Sequence, residues 1–239
     1  MKALDITIHK THLTNILLDI YKNSSLGPML GFKGGTAAML FYNLPRFSID
    51  LDFDTTAMFQ KDSAEIKTLT EKMSTLLAAK YTIKDQSTKY NTLFWLVSYG
   101  PGLTHIKVEI STRDNPYNHY TVTPFYGVTI KVLDYKDMIA HKLVAATQRE
   151  SVAHRDLFDI HYFLNSQYAG VINYQIIKHR TGKEPKEFYM FLLDYIHNIH
   201  PKSILAGLGE VLTDAQKNWV TSKLIIELQG LIQRQIDLL

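Results

Sequence analysis

Asp50, Asp52 and Asp54, spaced two apart in Ser48-Ile49-Asp50-Leu51-Asp52-Phe53-Asp54, are the residues whose type and spacing point most directly to chemistry. On a strand, side chains two apart point the same way with Cα atoms about 6.6 Å apart, so the carboxylates share one face and Ile49, Leu51 and Phe53 the other. Like charges on one strand face repel, and Asp is depleted in strands, so such a cluster destabilises unless something offsets it. A hard divalent cation does so. Mg²⁺ takes oxygen ligands, commonly one or two carboxylates together with substrate phosphates, the arrangement used in phosphoryl and nucleotidyl transfer. Upstream, Gly34-Gly35-Thr36 offers what a phosphate needs: backbone able to take positive φ, a following helix N-terminus with unpaired N–H groups, and a hydroxyl. The plainer alternative is a solvated strand end behind an ordinary turn, which accounts for either segment alone better than for both together.

Asp50 and Asp52 are therefore expected to hold Mg²⁺ or Mn²⁺. A site of this kind usually takes a third acid from a neighbouring strand. Glu109 is the candidate, because in Ile106-Lys107-Val108-Glu109-Ile110-Ser111 it lies on the polar side of an alternating run. Lys142 stands two turns before Arg149 on one helix face and is the candidate cation for β/γ-phosphates, offsetting charge as pyrophosphate leaves. Arg46 and Ser48 flank the acidic segment and are expected to contact phosphate or tie the loop down. Asp156 and Asp159 open a helix, where acids favour the helix dipole whether or not they meet substrate. His141, His154 and His161 lack metal-binding spacing and are expected to be surface or loop histidines. Lys178, His179, Arg180, Lys183 and Lys186 surround a Thr-Gly loop; they form a candidate RNA-backbone contact, although a solvated loop accounts for them better.

The elements that must position these groups are legible in outline. Apolar positions from Ile6 to Tyr21 follow the helical period. Met29 to Phe32 reads as a strand running into the glycine turn, Thr36 to Tyr42 as a helix ended by Pro45, and the acidic segment as the next strand. Asp62 to Lys80 is an amphipathic helix with Asp62 or Ser63 as N-cap. Strand-like runs follow at Tyr81-Ser87, Thr92-Ser98, His105-Ser111 and Val128-Val132. From Tyr135 onward the pattern is helical. The expected fold is α+β: a mixed sheet flanked by helices over residues 1–134, then an α-helical domain over 135–239 that completes the active site.

Bulk composition narrows the function classes. With 46% apolar and 21% charged residues the chain is ordinary globular protein and not disordered. It has no cysteine, which removes disulfides, thiolate metal sites and cysteine nucleophiles. A net charge of +3 and a pI near 8.8 suit an RNA or nucleotide partner without requiring one. No leader and no apolar run near the ~20 residues of a membrane span is present, so a cytoplasmic protein without membrane attachment is expected.

The order Lys33-Gly34-Gly35-Thr36, Arg46 to Asp52, Lys142 to Arg149 and Arg155-Asp156-Leu157-Phe158-Asp159 resembles the AbiEii/AbiGii nucleotidyltransferase toxin family over roughly residues 31–164. That resemblance implies a catalytic core of the DNA polymerase β type, with NTP as substrate. It also implies a toxin of an abortive-infection or toxin–antitoxin pair with a cognate antitoxin. The related MenT toxins, which modify the 3′ end of tRNA, make tRNA the implied acceptor. It further implies a catalytic role for an Asp of the Arg155–Asp159 block, with Asp156 preferred. Thr36 takes the small hydroxyl position after Gly35, and thirteen residues separate it from Asp50, at the long end of the superfamily's spacing. Two other functions fit the same residues: transfer to a small molecule or protein, and non-catalytic binding of nucleotide or RNA.

Overall fold

The computed structural model describes residues 4–57, 63–149, 153–199 and 204–239, which fall into two compact units, 1–133 and 134–239. The first unit is built on a seven-stranded mixed sheet. In chain order its strands are β1 (Leu30–Lys33), β2 (Leu51–Thr55), β3 (Thr82–Lys89), β4 (Thr92–Ser98), β5 (Ile106–Ser111), β6 (Tyr120–Phe125) and β7 (Val128–Leu133). Across the sheet the order is β3-β4-β5-β2-β1-β7-β6. The β2–β5 and β1–β7 pairs are parallel and the other neighbours antiparallel.

Among the described residues three α-helices belong to this unit: α1 (Ile6–Lys22), α2 (Gly34–Phe41) and α3 (Ala64–Ala78). The Asp5 carboxylate caps α1 by accepting from Ile8 N at 3.0 Å, and the Ser63 side chain caps α3 by accepting from Ile66 N, each satisfying one orphan donor of a first turn. Asp62, the other cap candidate, lies outside the described residues. α1 buries His9, Leu13, Ile16, Leu17 and Ile20 and packs against α3 and β7. Ile8, expected on that face, is exposed, and its place is taken by His9.

Two sheet features depart from expectation. The β2 strand starts at Leu51, leaving Asp50 just ahead of it. The β6 strand was not anticipated, because Pro124 reads as a break. Pro124 nevertheless pairs with Thr129 on the outermost strand, where one edge faces no neighbour and a missing N–H is tolerated.

The second unit is helical: α4 (Tyr135–Gln148), α5 (His154–Leu164), α6 (Tyr174–Thr181), α7 (Pro185–His197), α8 (Asp214–Ser222) and α9 (Leu224–Leu238). α4 packs on α5 and α6, and α9 on α5, α7 and α8, around Leu143, Leu157, Ile160, Phe163, Phe188, Leu192, Leu228 and Ile232. No described helix is long and apolar enough to cross a membrane.

Candidate active site

Strand alternation divides β2 cleanly. Leu51 and Phe53 are buried and pair with Val108 and Ile110 of β5, while Phe53 also opposes Phe32 of β1, with ring centroids 5.3 Å apart. On the other face, Asp52 stands between Lys33 of β1 and Glu109 of β5, and Asp54 between Gly31 and Ser111. Register alone thus brings Lys33, Asp52 and Glu109 into one row.

The two strand acids have different surroundings. Asp54 is buried and fully engaged: Lys33 Nζ lies 2.5 Å from its Oδ1, while the Tyr120 hydroxyl and Asn118 Nδ2 donate to its Oδ2 at 2.9 and 3.1 Å. Burial, then the neighbouring Asp54 charge, push the Tyr120 hydroxyl pKa up, so it stays a donor. Gly31 makes this contact possible, since a Cβ there would lie 2.1 Å from the Tyr120 ring. Asp54 is therefore a structural acid, although on sequence it belongs to the same triplet.

Asp52 instead lies over the glycine turn. Gly34 has φ +78° and a Cβ on it would meet Asp52 Oδ2 at 2.1 Å, so conformation and space both require glycine here. Gly35 leaves comparable room for Ser48 Oγ and Arg46 Nη2. Arg46 and Ser48 are both buried, and Arg46 Nη1 donates to the Phe47 carbonyl at 3.0 Å. α2 begins directly at this turn, and its N-cap, Lys33, makes no side-chain capping bond.

Asp50 is held by its backbone. Thr36 is completely buried and its hydroxyl donates to the Asp50 carbonyl; the group expected to meet phosphate positions the acid instead. One residue earlier, His9 Nε2 donates to the Ile49 carbonyl at 2.9 Å, and His9 Nδ1 accepts from the Tyr99 hydroxyl at 2.9 Å. A carbonyl can only accept, which fixes the proton on Nε2. Desolvation by burial lowers the His9 pKa, opposed by the Ile49 bond and the Asp50 charge, so the ring is neutral at pH 7. Sequence reasoning missed His9; an isolated histidine on a helix face carries no spacing signal.

The Asp50 side chain carries the site's most informative feature. Its Oδ1 is buried and has no hydrogen-bond partner. Leaving a charged oxygen unsatisfied is costly, and a ligating cation is one way to satisfy it. Asp50 and Asp52 thus fit Mg²⁺ or Mn²⁺ in the mode that uses two carboxylates and completes the shell with substrate phosphates. Among the described residues no three His, Asp or Glu side chains gather as a ready-made metal cage. Glu109 stands in register with Asp52 on the neighbouring strand.

In the second unit, Lys142 Nζ contacts Asp156 Oδ1 at 3.1 Å and Asp159 Oδ2 at 2.7 Å, with both acids buried. Arg149 Nε stands 3.1 Å from Asp156 Oδ2 without hydrogen-bond alignment. Lys142, expected on phosphate, is here the counter-ion of two helix carboxylates, and both Asp156 and Asp159 engage it. The histidine expectation is corrected for two of three: His154 and His161 are buried in α5. His154 bonds the Ala206 carbonyl, and His161 Nε2 pairs with Glu227 at 3.0 Å beside Trp219. In the basic loop Lys178 pairs with Glu184 and Lys183 with Glu187, while Arg180 donates to the neutral Gln148 side chain.

Residues 15–218 match the family model described as Nucleotidyl transferase AbiEii toxin, Type IV TA system. Two solved structures share the fold. One is described as a candidate nucleotidyltransferase from H. pylori (22% identity, TM-score 0.60, covering 97% of this chain and 95% of that one). The other is JHP933 from Helicobacter pylori (22% identity, TM-score 0.61, covering 98% and 94%). No curated protein sequence matches the chain.

Proposed function

This chain belongs to the nucleotidyl transferase AbiEii toxin family of type IV toxin–antitoxin systems, and from that we propose that it transfers NMP from an NTP to the 3′-hydroxyl of tRNA, in a reaction that depends on Mg²⁺ or Mn²⁺. The acceptor oxygen bonds to the α-phosphorus, the α–β phosphoanhydride bond breaks, pyrophosphate leaves and the hydroxyl proton is lost. The observation that carries this proposal is the orphaned, buried Oδ1 of Asp50, next to Asp52 over a positive-φ glycine that opens a helix.

Asp50 and Asp52 would hold the divalent ion together with the triphosphate; the ion supplies neutralisation of phosphate charge and acidifies the attacking hydroxyl. Gly34 and Gly35 let phosphate oxygens approach the N-terminus of α2, where backbone N–H groups point outward. His9 and Thr36 keep the backbone on either side of Asp50 in place. Lys33 balances the acidic row from β1. Lys142, Asp156 and Asp159 act as one charged unit, in which the two acids hold the ammonium in place.

The test is incubation of the chain with total tRNA, Mg²⁺ and each α-labelled NTP in turn, beside Asp50→Ala. Label entering the tRNA band with the wild type alone is the expected outcome. Label in an RNase-resistant species would move the acceptor to a protein or small molecule. Equal labelling by Asp50→Ala would remove the site assignment, and turnover of no NTP would leave a binding role.

A further inference from the structure

The end of the sheet that carries Asp50 continues sideways into a cleft. β2 and β5 begin at this end, β4 finishes there and β3 begins there, as the pairs Leu51↔Val108, Val97↔Ile106 and Thr82↔Ser98 require. The cleft has a volume of about 680 Å³ and is lined by Lys80, Tyr81 and Lys84 on one side and by Tyr99, Pro101 and His105 on the other. That volume lies within the range of small-molecule sites. Its two aromatic rings are braced from behind: His12 stacks on Tyr99 with centroids 4.4 Å apart and meets Tyr81 edge-on at 5.7 Å.

The charge of the lining has one sign. Among the described residues no carboxylate lines the cleft. Lys80 is paired with Asp19, whereas no hydrogen bond or ion pair engages the exposed Lys84 and His105 side chains. Aromatic faces beside an uncommitted ammonium and an uncommitted imidazole suit a planar anion, the combination by which proteins hold single-stranded nucleic acid. The cleft also touches the acidic segment through two bonds, since Tyr99 donates to His9 and His9 to Ile49, the neighbour of Asp50.

We propose that this cleft seats one unpaired nucleoside phosphate, its ring against Tyr81 or Tyr99 and its phosphate at Lys84 and His105, as part of an acceptor strand running along the sheet end to Asp50. The proposal rests on the nucleotidyl-transfer reading, to which it adds a place for the acceptor. A free nucleotide has the same chemistry and is the competing source.

The test reads binding of a fluorescein-labelled single-stranded RNA octamer to the full chain carrying Asp50→Ala, so that no transfer occurs, and, separately, binding of a fluorescent ATP analogue that cannot be cleaved between its α- and β-phosphates to the full chain with Asp50 intact. Making the cleft acidic with Lys84→Glu and His105→Glu is compared with the same charge change at pH 7 on the outer face of α3, Lys72→Glu and Thr68→Glu. The expected result is an RNA affinity lowered about tenfold by the cleft pair and less than about twofold by the α3 pair, with ATP affinity unchanged. A 4-thiouridine-bearing octamer should crosslink to peptides containing Tyr81 or Tyr99. Loss of ATP affinity with RNA unchanged would keep the ligand class and assign the cleft to a free nucleotide. Equal loss of RNA affinity from both pairs, or none from either, overturns the proposal. Because the readout is binding and not transfer, failure of transfer in the wild type leaves this outcome standing.

Discussion

His9 Nε2 donates to the carbonyl oxygen of Ile49 at 2.9 Å, and Ile49 is the residue before Asp50. A helix side chain thus sets the path of the loop that delivers the carboxylate. Removing it with His9→Ala leaves a part-buried carbonyl unsatisfied, a loss of about 1–3 kcal/mol in urea unfolding. Turnover should fall by about tenfold or more while KM for NTP stays near the wild-type value, because the loop, not the nucleotide contact, is altered. His9→Gln, which retains a donor, should recover part of kcat. Equal kcat in His9→Ala and wild type would show that the loop holds its course without the imidazole.

Asp50 and Asp54 should respond in opposite ways to loss of charge. The Asp50 Oδ1 has no partner, so Asp50→Asn without metal should leave thermal stability unchanged or raise it, while transfer is abolished. Asp54 binds Lys33, Tyr120 and Asn118, so Asp54→Ala should cost about 2–4 kcal/mol by stranding three donors, one of them part-exposed. Addition of Mg²⁺ with a non-hydrolysable NTP should raise the Tm of the wild type and leave that of Asp50→Asn unmoved. Calorimetry of the wild type and the two variants, with and without ligand, reads the stability outcomes, and tRNA labelling reads the loss of transfer.

Gly34 is irreplaceable for two separable reasons, its φ of +78° and the Asp52 oxygen where a Cβ would stand. The left-handed conformation alone costs a non-glycine residue about 1–2 kcal/mol. Gly34→Ala should exceed that and also displace Asp52, reducing transfer to the level of Asp52→Ala. An Ala variant that is merely less stable, with full kcat at low temperature, would mean that the Asp52 carboxylate relocates without consequence.

The Lys142 ammonium is shared by Asp156 and Asp159, at 3.1 and 2.7 Å. Lys142→Met leaves two buried carboxylates facing each other and should destabilise by about 3–5 kcal/mol. Lys142→Met combined with Asp159→Asn should be more stable than Lys142→Met alone, a coupling that a double-mutant cycle measures directly. Additive effects would deny that the three side chains act together.

Burial lowers the pKa of His9, His12 and His161 below the ordinary value near 6.5. Between that value and their folded values the unfolded chain binds more protons, so stability rises with pH through this window. The contribution is complete above about pH 7, is lost as pH falls through 6.5, and levels off once the folded pKa values are passed. Chemical denaturation between pH 5 and 8 should show this slope, and His9→Gln should flatten it in part.

Much of the site could be read from residue order because its chemistry is local. The glycine turn, the carboxylates two apart and the polar side of β5 each declare themselves through spacing, and the register that puts Glu109 beside Asp52 follows once β2 and β5 pair. What spacing cannot convey is which carboxylate the fold engages. Asp54 matches Asp50 and Asp52 in type and period, and only the arrival of Tyr120 from the unanticipated β6, over Gly31, sets it apart. The same holds for Thr36 and His9, whose partners lie 14 and 40 residues away. Pro124 hid β6 because a proline is a break in most strands and harmless on an outermost one.

β2 is the fourth of seven strands, with three to either side. Sheets fray from their margins inward, so amide protons of this strand should be among the slowest to exchange and its opening should require the whole unit to unfold. Asp52, and Asp50 at the strand's mouth, are thereby insulated from the partial openings that expose loops and edges to proteases. For a protein whose activity must be restrained by a partner, this means that wear on the molecule does not produce a half-active form: it loses its acids and its fold in a single event.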